Sequence, residues 1–316
     1  MTQSVNSLED PSKTAISAGD LQAVFLPSYG MLGISLSHRG TEILGRLQNL
    51  KVAAAKGSTA GIPFLYPWAN RLMAPRYEVA GRLVVLDGAS PLLHFDRHGL
   101  PMHGIPWSHL SWDVIETRQD CLTAGLDWSS AERLAIFPFR HRLTMTATIQ
   151  SNSLTLETVL FAGQDGPVPV SFGFHPYISV PGLPRAEWRL ILPAMRRLLL
   201  DQRGVPTGQE EVYGGLEDEL GQRDFDDGFA LLEESAEFSV SGGGRRIFME
   251  LLEGFPNAQV FAPKSKDYIA FEPMTAPTNA LISGEGLRLV EPHGQFRAIF
   301  RIRIDPDPRS FTRGRT

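Results

Sequence analysis

Leu143-Thr-Met-Thr-Ala-Thr-Ile149 places an apolar side chain at every second position, with threonines between them. That period of two belongs to a strand with one face buried, because successive side chains of an extended chain point to opposite sides. Gln150-Ser-Asn-Ser153 follows as a turn, and Leu154-Thr-Leu-Glu-Thr-Val-Leu-Phe161 reads as the strand returning beside the first. Further along, Phe296, Ala298, Phe300, Ile302 and Ile304 fall on one face and Arg297, Arg301 and Arg303 on the other. Ile247, Met249 and Leu251 alternate after Ser241-Gly-Gly-Gly244, most simply a hairpin turn. Helical periodicity is scarce, and Asp127 to Leu134 and Leu216 to Leu220 are the only candidates for short helical turns. Many short strands, punctuated by 30 Gly and 23 Pro, predict an all-β fold of sandwich or barrel type.

No composition shift or repeat divides the 316 residues. One domain is expected over residues 16–308, between a flexible tail at 1–15 and a C-terminal tail at 309–316. A hydrophobic share of 42% and a charged share of 21% suffice for a sizeable core. The formal net charge of −5 argues against an electrostatic grip on nucleic acid. Cys121, the single cysteine, excludes an intrachain disulfide and any multi-cysteine metal site. Met1 to Thr14 lacks the basic start and apolar stretch of a signal peptide, and no window approaches the roughly 18 apolar residues of a membrane span. A cytoplasmic protein without membrane partners is the expectation.

Four clusters join ionisable side chains to stiff Gly/Pro loops, where functional groups tend to sit on a β scaffold. In Gly61-Ile-Pro-Phe-Leu-Tyr-Pro-Trp-Ala-Asn-Arg-Leu72, Asn70 and Arg71 offer fixed donors to ligand oxygens, or else Arg71 caps a loop. His94-Phe-Asp-Arg-His-Gly-Leu-Pro-Met-His-Gly104 holds three histidines, but Gly99 and Pro101 break any helix that would align them on a metal. His103, between Pro101 and Gly104, is the better-fixed imidazole. In Ser171-Phe-Gly-Phe-His-Pro-Tyr177, Gly173 and Pro176 stiffen the chain around His175, an acid–base group or a structural histidine. In Tyr268-Ile-Ala-Phe-Glu-Pro-Met-Thr-Ala-Pro-Thr-Asn279, Glu272 closes an apolar strand, where partial burial raises a carboxyl pKa toward that of a base. Glu291, also followed by proline, is a rival in what reads as a solvated turn. No G-x-S-x-G elbow, Walker loop or G-x-G-x-x-G after a strand is present, so nucleotide and nicotinamide binding have no support.

Taken in order, Ala69-Asn-Arg71, His103-Gly104, Gly173-Phe-His-Pro-Tyr177 and Phe271-Glu-Pro273 resemble the aldose 1-epimerase (galactose mutarotase) family. Leu198 to Gly208, Phe225-Asp-Asp-Gly-Phe229 and Ala258-Gln-Val-Phe261 add matches between the last two, and the likeness runs from about Leu21 to Ile304. It implies a large antiparallel β-sandwich, a supersandwich, with a monosaccharide bound in a concave face and no metal or organic cofactor. It also implies His175 as general acid and Glu272 as general base, with Asn70, Arg71, His103, Asp226 and Gln259 holding sugar hydroxyls. Trp68 or Tyr177 would stack on the sugar's C–H face.

The chemistry asks for such a pair. Anomers interconvert when a base takes the C1 hydroxyl proton and an acid protonates the ring oxygen, opening the ring; both roles reverse on closure. The imidazole and the carboxylate are expected to converge on opposite sides of one pyranose. Three alternatives stay open. Extra cations such as Arg76 or Arg97 would favour a phosphorylated or otherwise anionic sugar. A carbohydrate-binding module would keep the cleft without needing an acid and a base together. A glycoside hydrolase or lyase would commonly use paired carboxylates.

Overall fold

The computed structural model describes residue 10, residues 12–47 and residues 49–307. Two large antiparallel sheets face each other across one core. The first has nine strands, ordered Leu216–Glu219, Arg189–Leu192, Ala236–Gly242, Arg245–Glu253, Gln295–Pro306, Ser153–Ala162, His141–Ile149, Cys121–Trp128 and Asp113–Arg118. The second, of eight strands, runs Pro206–Tyr213, Met195–Leu200, Phe225–Leu231, Asn257–Ala262, Ile269–Met274, Gly173–Phe174 and Phe64–Leu65, with Tyr177–Ile178 also pairing to Ile269–Met274. Phe238 packs on Phe271 and Phe174 on Phe300, at ring separations of 5.5 and 4.8 Å, so aromatic side chains join the two layers. A four-stranded sheet over Thr14–Ala18, Leu21–Leu26, Leu32–His38 and Thr41–Glu42 and two two-stranded sheets, Val168–Val170 with Arg288–Val290 and Arg76–Val79 with Arg82–Val85, complete the body.

The patterned stretches behave as their periodicity demands. His141–Ile149 and Ser153–Ala162 pair with Ile149 opposite Leu154, and Leu143, Met145, Ala147 and Ile149 are buried. Gln295–Pro306 buries Phe296, Ala298, Phe300, Ile302 and Ile304. Gly243 and Gly244, at φ +58° and +82°, form the two-residue turn between Ala236–Gly242 and Arg245–Glu253, a conformation open to glycine. Cys121 is buried and free.

The helical expectations fare unevenly. Ala131–Ile136 is a short helix whose Ser130 side chain accepts from the Arg133 amide, but Asp127 and Trp128 still belong to the preceding strand. Leu216–Glu219 is a strand, edge-paired to Arg189–Leu192. Four residues carry too little periodicity to separate the two states, and here the sheet's open edge decides by supplying hydrogen-bond partners. The chain also joins the fold before residue 16: Thr14 and Ala15 open a strand, and the Asp10 carboxylate accepts from the Ser28 amide. Positions 1–9 and 11 of the expected N-terminal tail lie outside the described residues, as do position 308 and the expected C-terminal tail at 309–316.

Candidate active site

Register alone brings His175 and Glu272 together. Gly173 pairs with Met274 and Tyr177 with Ala270, which leaves His175 directly opposite Glu272 on the neighbouring strand. Gln259 flanks Glu272 from the other side, and Gly228 flanks Gln259. A row His175–Glu272–Gln259–Gly228 thus crosses the eight-stranded sheet on one face. Cross-strand neighbours hold their Cβ atoms about 5 Å apart, so their functional groups meet. His175 Nε2 lies 3.0 Å from Glu272 Oε1.

The next row on the same face, two residues along each strand, is Tyr177–Ala270–Phe261–Asp226. Tyr177 stacks on His175 with ring centroids 4.3 Å apart, and its hydroxyl meets His175 Nε2 at 3.3 Å, Thr59 Oγ1 at 2.6 Å and Arg46 Nη1 at 2.9 Å. Asp226 accepts from Gln259 Nε2 at 2.7 Å. Loops close the cleft. Asn70 and His103, both at positive φ, clasp each other: the His103 amide donates to the Asn70 carbonyl, and the Asn70 amide donates to His103 Nδ1 at 3.1 Å. That bond fixes the tautomer, so Nε2 of His103 carries the hydrogen. A Cβ on Gly104 would stand 2.2 Å from the Tyr66 carbonyl oxygen, which is why glycine follows this histidine. Arg71 donates to Asp96 at 2.8 Å and to Asn70 Oδ1 at 3.0 Å. Against burial, which pushes Asp96 up, hydrogen bonds from the Leu100 amide, Arg71 and the His98 amide hold its carboxyl below the ordinary range.

The resulting cleft, of about 240 Å³, is lined by Asn70, Arg71, His103, His175, Asp226 and Glu272, together with Arg46, Thr59, His94, Tyr177 and Phe261. Gln259 is 2% exposed and stands behind Asp226, holding that carboxylate by its amide. Trp68 departs from its expected role: it is fully buried against Tyr77, away from the cleft. Glu291 is exposed in the turn before the last strand. Arg46 and Thr59 carried no signal, being isolated residues that only the tertiary fold gathers, and Phe261 entered only as the end of a matching stretch. Among the described residues no three His, Cys, Asp or Glu side chains gather as a metal centre requires. Of the three clustered histidines, His94 and His103 line the cleft, and His98 is exposed and bonded to Arg97.

Burial sets the electrostatics. It lowers His175 well below the ordinary imidazole pKa, reinforced by nearby His103 and Arg46. It raises Glu272 well above the ordinary carboxyl pKa, reinforced by Asp226 and opposed by Arg71. Burial likewise pushes His103 down to about 3, with Arg71 assisting. Both shifts in the pair favour its net-neutral state, in which one proton is shared between Nε2 and Oε1. Two expectations change accordingly. The groups meet at one point of the cleft instead of standing on opposite sides of a ring, and burial disfavours a free-standing imidazolium. Glu272 Oε2 and His175 Nδ1 are buried without a hydrogen-bond partner among the described residues.

The sequence model of the family described as aldose 1-epimerase matches residues 35–302, and the chain belongs to that family. No curated protein matches the chain in sequence. Among solved structures, a galactose mutarotase-like protein from Clostridium acetobutylicum superposes with a TM-score of 0.80 at 16% identity, over 93% of this chain and 95% of that one. The galactose 1-epimerase of Lactobacillus acidophilus NCFM superposes with a TM-score of 0.74 at 14% identity, over 96% and 98%. The Slr1438 protein of Synechocystis sp. PCC 6803 is 25% identical, with a TM-score of 0.76 over 97% and 100%. No helix among the described residues is long and apolar enough to cross a membrane.

Proposed function

We propose that the chain is a cofactor-independent aldose 1-epimerase that interconverts the α and β anomers of a neutral hexose. The observation that carries the reading is the His175–Glu272 contact at 3.0 Å on the floor of a cleft of monosaccharide size. The C1 hydroxyl and the ring oxygen are bonded to the same carbon. An acid and a base that serve both must therefore stand side by side.

In ring opening, the Glu272 carboxylate takes the C1 hydroxyl proton while the His175 imidazolium protonates the ring oxygen. The C1–ring oxygen bond breaks and C1 becomes an aldehyde carbon. The pair holds one proton before the step and one after; only its seat moves, from nitrogen to carboxyl. The net charge of the buried pair stays zero throughout, so the low-dielectric site is never asked to hold an uncompensated charge. Burial favours the protonated carboxyl over the carboxylate and outweighs Arg71, so the resting pair keeps its proton on Glu272 and ring opening draws on the imidazolium–carboxylate tautomer. The His103 Nε2–H and the Arg71 guanidinium supply donors for charge building on the sugar oxygens. Asp226, held by Gln259, accepts from a hydroxyl. Rotation about C1–C2 and closure by the reverse transfers give the other anomer.

Most cations of the neighbourhood are already paired with carboxylates, which favours a neutral sugar over an anionic one; Arg46, bonded to the Tyr177 hydroxyl, is the cleft-lining arginine without one among the described residues. Arg71 is paired with Asp96, and in the adjoining cleft Arg197 is paired with Asp227 and Arg203 with Asp201. Arg97 lines that adjoining cleft, whereas Arg76 sits exposed on a separate two-stranded hairpin. Polarimetry of freshly dissolved α-D-glucose and α-D-galactose tests the proposal: the protein should speed the drift in rotation, and do so more for glucose than for glucose 6-phosphate. An unchanged drift for every sugar would leave a binding module.

A further inference from the structure

Beyond the catalytic cleft, the same sheet face carries a second one. On the far side of the His175–Glu272–Gln259 row from Tyr177 and Phe261 runs a third row, Met274–Asn257–Ala230. Asn257 shares its strand with Gln259, two residues away on the same face, a step of about 7 Å. Beside this row opens a cleft of about 320 Å³.

Its polar lining is unpaired where pairing matters. Asn257 is 6% exposed and Thr278 is 5% exposed, yet neither side chain has a hydrogen-bond partner among the described residues. The cross-strand neighbours of Asn257 are Ala230 and Met274, which cannot supply one. Asn279, which also lines the cleft, accepts from the Met73 amide at 2.9 Å through Oδ1, which leaves its NH₂ uncommitted among the described residues. Their polar atoms reach the cleft, so a ligand hydroxyl that both donates and accepts can pair with them in place of water. Leu198, Pro256 and Pro277 add apolar walls.

We propose that this cleft is an accessory binding site for a neutral saccharide unit, separate from the catalytic one. Carboxamides and a hydroxyl match vicinal sugar hydroxyls, each of which is donor and acceptor at once, and the proline and leucine walls match a pyranose C–H face. No Lys, Arg or His lines it, while Glu210 and Glu285 do, so an anionic ligand is repelled. The inference does not rest on the catalytic assignment.

The test uses the full chain and methyl α-D-glucopyranoside, which lacks a free anomeric hydroxyl and reports binding without turnover. The side-chain amide signals of Asn257, assigned by their loss in Asn257→Leu, are followed in ¹⁵N–¹H spectra. They should shift saturably at concentrations of the order of tens of millimolar, usual for weak monosaccharide sites. Thr278→Val, a near-isosteric change, should weaken that shift at least about tenfold while leaving the mutarotation rate unchanged. Unmoved Asn257 signals, or a shift of equal strength in Thr278→Val, would overturn the proposal and leave a water-filled cleft. Glucosamine acting at tenfold lower concentration than the glycoside would overturn it in favour of a cation site. A protein that binds here but fails in polarimetry would refute the catalytic reading alone.

Discussion

Two histidines, equally buried, do opposite things in this molecule. His141 is 6% exposed and His175 is 5% exposed, and burial lowers both pKa values, that of His141 to about 4. His141 Nδ1 meets the Phe139 carbonyl at 2.6 Å and its Nε2 meets the Tyr66 hydroxyl at 2.5 Å, with Trp128 stacked on the ring. Nothing is left over. His175 has an orphaned Nδ1 and an Nε2 shared with a carboxyl whose second oxygen is also orphaned. Burial alone therefore does not mark a functional imidazole. What marks it is burial with hydrogen-bonding capacity unspent, beside a group that titrates in the opposite direction and beneath an open cleft.

Substitutions at the two sites should dissociate activity from stability. The largest effect falls on Glu272→Gln and His175→Asn, each expected to cost about 10²–10⁴-fold in mutarotation rate, the usual worth of one proton transfer. Polarimetry reads the loss, and thermal melting should show Glu272→Gln close to the parent in stability, since the isosteric carboxamide keeps the shape of the side chain and can still meet His175 Nε2. If Glu291→Gln were the damaging change, the base would be misassigned.

Acid should unfold the protein through its histidines. Below pH 6.5 the unfolded chain protonates His103, His141 and His175, whereas the folded state keeps the first two neutral down to about 3 and about 4. The folded His175–Glu272 pair already holds one proton, so near pH 5 the unfolded state binds about two more than the folded one. Because it does, stability falls as pH drops below 6.5, with a slope that steepens to roughly 2.7 kcal/mol per unit near pH 5. Urea denaturation across that range checks the slope, and a flat profile would refute the neutral burial of these rings.

Tyr66→Phe reverses the Glu272 outcome. It strands His141 Nε2 and should cost about 1–3 kcal/mol of stability in urea denaturation, with the polarimetric rate unchanged. Smallest is Thr59→Val. It removes one partner of the Tyr177 hydroxyl while Arg46 and His175 remain, so a loss of about 1 kcal/mol in stability and a few-fold in rate is expected.

The sheets were legible wherever a strand has one wet face, as at Leu143–Ile149 and along the last strand, because alternation then survives in the residue types. Strand Ile269–Met274 is buried throughout and shows no such alternation. Leu216–Glu219 was misread because four residues cannot display a period. Of the site, the loop residues Asn70, His103 and His175 were legible because glycine and proline beside them announce a chain held in an unusual path. Arg46 adopts φ +52° without any such neighbour signal beyond Gly45, and Thr59 precedes an ordinary Ala-Gly. The resemblance to the family named Gln259 among the sugar-holding residues; its contact with Asp226 depends on cross-strand register, which no local stretch encodes. Asp227, next to Asp226, accepts from Arg197 outside the catalytic cleft.

With its Nδ1 occupied by the Asn70 amide, His103 stays an uncharged donor throughout the physiological acidity range. It can point a hydrogen at a sugar oxygen without presenting a cation to the surrounding electrolyte. Inorganic counterions therefore gain nothing by settling on it, and fluctuations in cellular acidity do not alter what it offers.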